Sequence, residues 1–327
     1  MSGAPLNTPG HTVIDLSGGR SGGAGRFREQ WIRYTIEHPE AAPLAIGMDE
    51  SVSPHWLVLR EFEARGRHRA IAANNVGFWI AGDHRITLMR NANHFLTSVE
   101  WEKTGRLLGR FFAAQIRHVH AAARRSESLI VPSASMAERV ASRLPDLADR
   151  ITVRFHPLEA PLVDGDKAFP PVILCPIVDS PFKGLAGHLE ALHRALGNRE
   201  AQIISTSNAE AAPLSVQADD RFQFIGTVSR EDLAHIYARV TAVYYPTSVE
   251  SFGYPLAEAR ASGIPVIAQN TSHNREIASS ALCGYLTNSE SSLADAIDMA
   301  LTADVTCDPA PFARDAYFSW LLRGSDT

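Results

Sequence analysis

The chain has 327 residues, 45% of them apolar and 20% charged, with a formal net charge of -5. That length suits two domains with a core each, and the composition is that of an ordinary globular protein. No apolar run approaches the roughly 18 residues that span a bilayer, and the opening MSGAPLNTPGHT lacks the basic and apolar regions of a secretory signal.

The first half opens with a strand, HTVIDLS, then a glycine-rich loop, GGRSGGAGR, then a helix in which Phe27, Trp31 and Tyr34 share one face. The next strand expected is ITLMR at 86–90. Residues 106–125, RLLGRFFAAQIRHVHAAARR, contain no proline and read as one long helix. SLIVP (128–132) is a strand, ASMAERVASRL a helix and RITVRFHPL (150–158) a strand. Alternation of this kind indicates parallel βαβ units.

Prolines, a glycine and charges in LEAPLVDGDKAFPP (158–171) interrupt the pattern and mark a linker. Beyond it PVILC is a strand, and KGLAGHLEALHRALG is a helix with Leu185, Leu189, Leu192 and Leu196 on one face, closed by Gly197. AQIIS, RFQFIG, AVYYP and PVIAQ are four further short apolar runs with helices between them. The expected fold class is α/β: an N-terminal domain over 1–165 and a C-terminal domain over 166–327, both Rossmann-like, with parallel sheets facing across a cleft.

Charge divides between the halves. Residues 1–160 carry 20 Lys and Arg against 16 Asp and Glu, while 161–327 carry 11 against 20. Either one half faces an acidic partner, or two solvated surfaces simply differ in sign. Arginines 106, 110, 117, 124 and 125, with Phe111 and Phe112, would let the 106–125 helix lie on an anionic membrane. The alternative is the solvated face of a core helix. His118 and His120, two apart, cannot share a metal on one helix face and read as surface residues. The three cysteines, Cys175, Cys283 and Cys307, suit neither a disulfide frame nor a metal cluster, and fit a reduced cytosol.

The chemistry concentrates at 249–268, VESFGYPLAEARASGIPVIA. A helix starting near Pro255 after the AVYYP strand would present the amides of Phe252, Gly253 and Tyr254 to an anion. Gly253 would allow close approach. Carboxylates beside such an anion site, Glu250 and Glu258, need hydroxyl partners. Phosphate together with polyol is the signature of a nucleotide sugar.

These residues, within 221–268, RFQFIGTVSREDLAHIYARVTAVYYPTSVESFGYPLAEARASGIPVIA, resemble the retaining glycosyltransferases of family 4, which have the GT-B fold. The resemblance is specific over most of 170–280 and looser before it. It implies that Glu250 contacts the donor sugar, that Glu258 holds the ribose, and that Ser251, Phe252, Gly253 and Tyr254 face sugar and diphosphate. Thr227 and Val228 would border the base. Lys183, in SPFKGLAGH, sits where the family places a diphosphate-binding lysine. Gly22 and Gly23 of SGGAGRFREQW resemble the family's glycine loop, and Asn91 and His94 of LMRNANHF would contact acceptor or donor sugar. The family's Gly-Arg pair is absent, since Cys175-Pro176 stands in its place. The final stretch 311–324 resembles the closing helix that returns to the first domain.

The implied activity is transfer of a hexosyl group, with retention, from a UDP- or GDP-type donor to a glycan, lipid-linked or small-molecule acceptor. No cofactor or nucleic acid would be involved, and no metal, because no carboxylate cluster resembles the Asp-x-Asp metal grip of the other common transferase architecture. The expected location is cytoplasmic, with or without the membrane contact. Two other readings of the fold stay open: a nucleotide-sugar epimerase and a catalytically silent nucleotide-sugar-binding subunit.

Overall fold

A computed structural model describes residues 11–19, 22–159, 169–177, 184–247 and 249–323. The chain divides into two units, Met1–Leu158 with Phe312–Thr327, and Glu159–Pro311. Leu158 donates its N–H to the Phe312 carbonyl at 3.1 Å, so the chain leaves and re-enters the first unit at adjacent points.

The first unit runs β1 (Thr12–Asp15), α1 (Gly22–Glu37), β2 (Leu44–Ile46), α2 (Pro54–Glu63), β3 (Arg69–Ala72), β4 (His84–Leu88), α3 (Ser98–Ala123), β5 (Ser128–Val131), α4 (Ala134–Arg143) and β6 (Ile151–Val153). Its strands lie parallel in the order β2-β1-β3-β4-β5-β6. Alternate side chains of each strand face opposite sides. Ile14, Ile71, Ile86 and Leu88 meet Phe27, Trp31 and Tyr34 of α1, together with Tyr317 and Phe318 from the terminal segment. Val13, Ala70 and Ala72 meet Trp56, Phe78 and Ala81 on the other side. Both faces are therefore covered, as a parallel sheet requires.

Three expectations need correction here. The interval between α1 and β4 holds β2, α2 and β3, which the apolar pattern does not signal. The long helix begins at Ser98, capped by a reciprocal Thr97–Glu100 pair, and is broken at Gly109, whose φ of 73° and ψ of 172° are not helical. The strand expected over 150–158 spans only Ile151–Val153.

The β3-to-β4 crossover is unusual. Neighbouring parallel strands are usually joined through a helix, yet residues 73–83 form none. The segment is secured instead by Glu61 of α2, whose carboxylate accepts from the amides of Trp79 (2.7 Å), Ile80 (3.0 Å) and Ala81 (2.7 Å).

The second unit runs β7 (Val172–Cys175), α5 (Leu185–Leu196), β8 (Gln202–Ser205), α6 (Leu214–Gln217), β9 (Phe222–Phe224), α7 (Arg230–Tyr237), β10 (Ala242–Tyr244), α8 (Tyr254–Ser262), β11 (Val266–Gln269), α9 (Ser272–Ala278), β12 (Leu282–Tyr285) and α10 (Glu290–Thr302). The strand order is β12-β11-β10-β7-β8-β9, all parallel. The leucine face of α5 is buried as its spacing predicts. β12 went unread because Gly284 interrupts its apolar run. The last helix, α11 (Arg314–Arg323), belongs to the first unit, where the Phe318 ring lies 5.2 Å from Trp31 and 5.5 Å from Phe27.

Candidate active site

In doubly wound sheets, ligands bind beyond the carboxyl ends of the strands where the strand order reverses. In the second unit that point lies between β7 and β10. The turn 245–253 follows β10 and Gly184 opens α5 after β7, so the motif residues stand where the topology places a ligand.

The turn is shaped by Gly253. It caps α8 at φ 78° and ψ 70°, and a Cβ there would stand 3.0 Å from Leu256 Cδ1. Its carbonyl accepts from the amides of Leu256 (3.0 Å) and Ala257 (3.3 Å). Pro255 is the second residue of α8 rather than the first, and Tyr254 opens the helix. Phe252 is buried, with its ring 5.1 Å from that of Tyr254 in edge contact. Ser251 is half-buried beside it.

Each glutamate is held by a tyrosine. Tyr245 donates its hydroxyl to Glu250 Oε1 at 2.7 Å, and Tyr237 of α7 donates to Glu258 Oε2 at 3.1 Å. Glu258 lies inside α8 and is 6% exposed, while Glu250 is half-buried in the turn. A carboxylate taken out of water needs such donors. Sequence reading missed both tyrosines. Tyr237 reaches across 21 residues of chain, and only the shape of the sheet brings α7 to α8. Thr227 and Val228 follow β9, the first exposed and the second half-buried, just ahead of the Ser229 cap of α7.

Lys183 and Ser248 lie outside the described residues. Cys175 ends β7 fully buried, and burial pushes its thiol up to about 12. With Pro176 after it, the pair supplies no cation where the resemblance would place the arginine of its Gly-Arg pair.

In the first unit, Gly22 and Gly23 are exposed, but they form the first turn of α1 rather than a loop before it. Asn75, with φ of 71°, fixes the backbone after β4, its side-chain oxygen accepting from the amides of Arg90 and Asn91. Asn91 caps the short turn Ala92–Phe95, and its amide nitrogen stands 3.4 Å from His94 Nε2. The structure thus pairs these two candidates. His94 is only 3% exposed, and burial first, then nearby His120, lowers its pKa to about 4. The imidazole is neutral at pH 7, and its Nδ1 has no hydrogen-bond partner. It borders a pocket of about 410 Å³ with Trp101, Arg117 and Arg143. The expectation that His120 is a surface residue was wrong. It is half-buried, stacked on Phe95 and hydrogen-bonded to the His94 carbonyl at 2.9 Å.

The fold and its reversal-point site define the class. Two parallel doubly wound sheets in one chain are the GT-B fold. WaaG, a glycosyltransferase involved in lipopolysaccharide biosynthesis, superposes with a TM-score of 0.62 at 15% identity, over 94% of this chain and 93% of that one. Anabaena HepE, solved with UDP, superposes with a TM-score of 0.59 at 15% identity over 94% of each chain. Residues 205–309, within the second unit, match the family model for glycosyl transferases group 1. The O-antigen chain mannosyltransferase B of Escherichia coli is 36% identical over 55 residues, which span 17% of this chain and only 14% of that protein. No helix among the described residues is long and apolar enough to cross a membrane.

Proposed function

We propose that the protein is a retaining glycosyltransferase of family 4, moving a hexosyl group from a UDP- or GDP-sugar to a hydroxyl of a glycan, lipid-linked or small-molecule acceptor. The observation that carries this reading is the turn after β10, where two tyrosine-held carboxylates flank a glycine-capped helix start at the reversal point of the sheet. The helix start suits a diphosphate, and the carboxylates suit sugar and ribose hydroxyls. The presence of UDP in HepE supports a uridine donor.

Glu250 contacts the donor sugar and Glu258 the ribose, with Ser251 to Tyr254 along sugar and diphosphate, and Thr227 and Val228 at the base. Lys183 binds the diphosphate and stabilises the charge that builds on the leaving oxygen. Gly22 and Gly23 offer helix-start amides, and Asn91 and neutral His94 offer hydrogen bonds to acceptor or donor sugar. Acceptor and leaving phosphate stand on one face of the sugar, so no protein nucleophile is needed and the phosphate takes the acceptor proton. Cys175-Pro176, in place of the family's Gly-Arg pair, favours a second reading, a subunit that binds nucleotide sugar without turnover.

A thermal-shift screen of UDP, GDP, ADP, CDP and TDP sugars separates these readings once turnover is followed. A ligand at about 100 times its Kd adds roughly 2.7 kcal/mol. Product with the donor's anomeric configuration supports transfer. Stabilisation without product in the presence of a wide acceptor panel supports the silent subunit, and conversion of donor with no acceptor an epimerase.

Two smaller predictions arise here. Turnover is expected to survive EDTA, since the reading assigns diphosphate neutralisation to Lys183 and helix-start amides; loss on chelation with rescue by Mg²⁺ or Mn²⁺ would show otherwise. Tyr245→Phe is expected to weaken the intact donor by about tenfold, the scale of one hydrogen bond to a charged group. Tyr237→Phe is expected to weaken the nucleoside diphosphate itself to a similar degree. Equal donor and diphosphate affinities in both variants and wild type would remove the tyrosines from the site.

A further inference from the structure

Among the described residues, one group of three His, Asp and Glu side chains brings a ligand atom from each within 4.8 Å of the others. It joins Glu37 and His38, at the end of α1, to Asp315 in the first turn of α11. Packing fixes both helix ends. The Phe318 ring of α11 lies 5.2 Å from Trp31 of α1, and the Tyr34 ring stands 4.7 Å from that of His38. The His38 amide donates to the Tyr34 carbonyl at 2.9 Å.

The distances suit a shared ion better than direct contact. His38 Nε2 stands 3.6 Å from Asp315 Oδ2, too far for a hydrogen bond, and it is shielded from solvent with no hydrogen-bond partner. Two ligands, each about 2.0–2.2 Å from a tetrahedral zinc, are roughly 3.3–3.6 Å apart. The other ring nitrogen, Nδ1, faces Glu40 Oε1 at 3.9 Å. A ligating histidine ordinarily directs its second nitrogen at a carboxylate or carbonyl in this way.

Arg314 is the competing cation. Its Nη2 donates to Glu37 Oε2, and its Nε donates to Asp315 Oδ1 at 3.2 Å. One oxygen of each carboxylate is thus engaged, while Asp315 Oδ2 is turned to His38. Carboxylates that ligate metals are themselves hydrogen-bonded, and the guanidinium orients this pair. Two carboxylates, with Glu40 a third close by, outweigh its single charge. The last turn of α1 holds no basic residue and ends on Glu37, where the helix dipole favours a cation.

We propose that Glu37, His38 and Asp315 bind a divalent transition metal of the zinc type, with water in the fourth position. One imidazole with two carboxylates suits zinc, whereas magnesium and calcium prefer oxygen alone. The ion clamps α11 to α1 and takes no part in sugar transfer. α1 has 16 residues, so the cluster lies roughly 24 Å from Gly22 at the helix start.

The full-length protein, stripped with EDTA and then freed of it, is titrated calorimetrically with Zn²⁺, Mg²⁺ and Ca²⁺, and its Tm is followed. Saturable Zn²⁺ binding with a rise in Tm is expected, and Mg²⁺ and Ca²⁺ should be undetected. His38→Gln and Asp315→Asn should each weaken Zn²⁺ at least tenfold. Because His38 Nε2 makes no hydrogen bond, His38→Gln should melt with wild type in EDTA and lose the rise in Tm with zinc. No saturable Zn²⁺ binding overturns the proposal. So does equal binding by His38→Gln, which would assign the ion to other side chains. Mg²⁺ bound as tightly as Zn²⁺ also overturns it, since the cluster would then be ordinary surface carboxylates. None of these readouts involves sugar transfer, so they stand or fall independently of the proposed activity and of its survival in EDTA.

Discussion

Arg60→Ala is expected to destabilise the first unit by about 3–5 kcal/mol, the cost of removing one partner from a buried ion pair. Arg60 and Asp15 are both 0% exposed, with Arg60 Nη1 donating to Asp15 Oδ2 at 2.6 Å. Nη2 donates to the carbonyls of Val76 (2.8 Å) and Gly77 (2.7 Å), and the guanidinium lies 4.4 Å from the Phe78 ring. Asp15 ends β1 and also accepts from Trp56 Nε1 (3.3 Å), Asn74 Nδ2 (2.6 Å) and the Ser17 amide (2.9 Å). Truncation would leave the buried anion without its counter-charge and the Val76 and Gly77 carbonyls without this donor. The variant's unfolding midpoint in urea should fall accordingly, and a loss below about 1 kcal/mol would contradict the argument. Arg60→Met with Asp15→Asn, which removes both charges, should recover part of the loss.

Lys183→Ala is expected to lower kcat by about 10²–10³, the usual cost of deleting a donor that stabilises transition-state charge. The described chain resumes beside it at Gly184, which caps α5 in a left-handed conformation at φ 58°. At the end of β7 Cys175-Pro176 replaces the family's Gly-Arg pair, so no arginine there shares the leaving-group charge. Saturating-donor turnover is the measurement, with Lys183→Arg expected to restore part of the rate. Near wild-type turnover of the alanine variant would remove Lys183 from the reaction.

The second unit was largely legible because its central strands are buried on both faces. VILC and VIAQ are apolar at most positions, and nothing on a solvent face breaks the run. The first unit was harder. β2 is an edge strand whose Leu44 and Ala45 are exposed, and β3 is a short Arg-Ala-Ile-Ala. The exposed Val58, Leu59 and Phe62 spoil the amphipathic pattern of α2. Gly109 breaks α3 where a lone glycine inside a helix is ordinarily tolerated. At the site, the glutamates were readable because they are close in sequence to the turn that presents them. The tyrosines that hold them, and the burial of His94, arise from packing between elements and leave no local signal.

The central claim is that the turn after β10 divides a nucleotide sugar between its two carboxylates. Calorimetric titration of Glu258→Gln and Glu250→Gln, each with nucleoside diphosphate and with intact donor, tests it most directly. Each change removes a charged acceptor worth about 1.5–3 kcal/mol, or roughly a ten- to hundredfold effect. Glu258→Gln should weaken the diphosphate whether or not sugar is attached, because that carboxylate serves the ribose. Glu250→Gln should leave diphosphate affinity almost unchanged and weaken only the intact donor. If both variants lose diphosphate equally, or neither responds to either ligand, the two glutamates are structural and the turn is not a donor site.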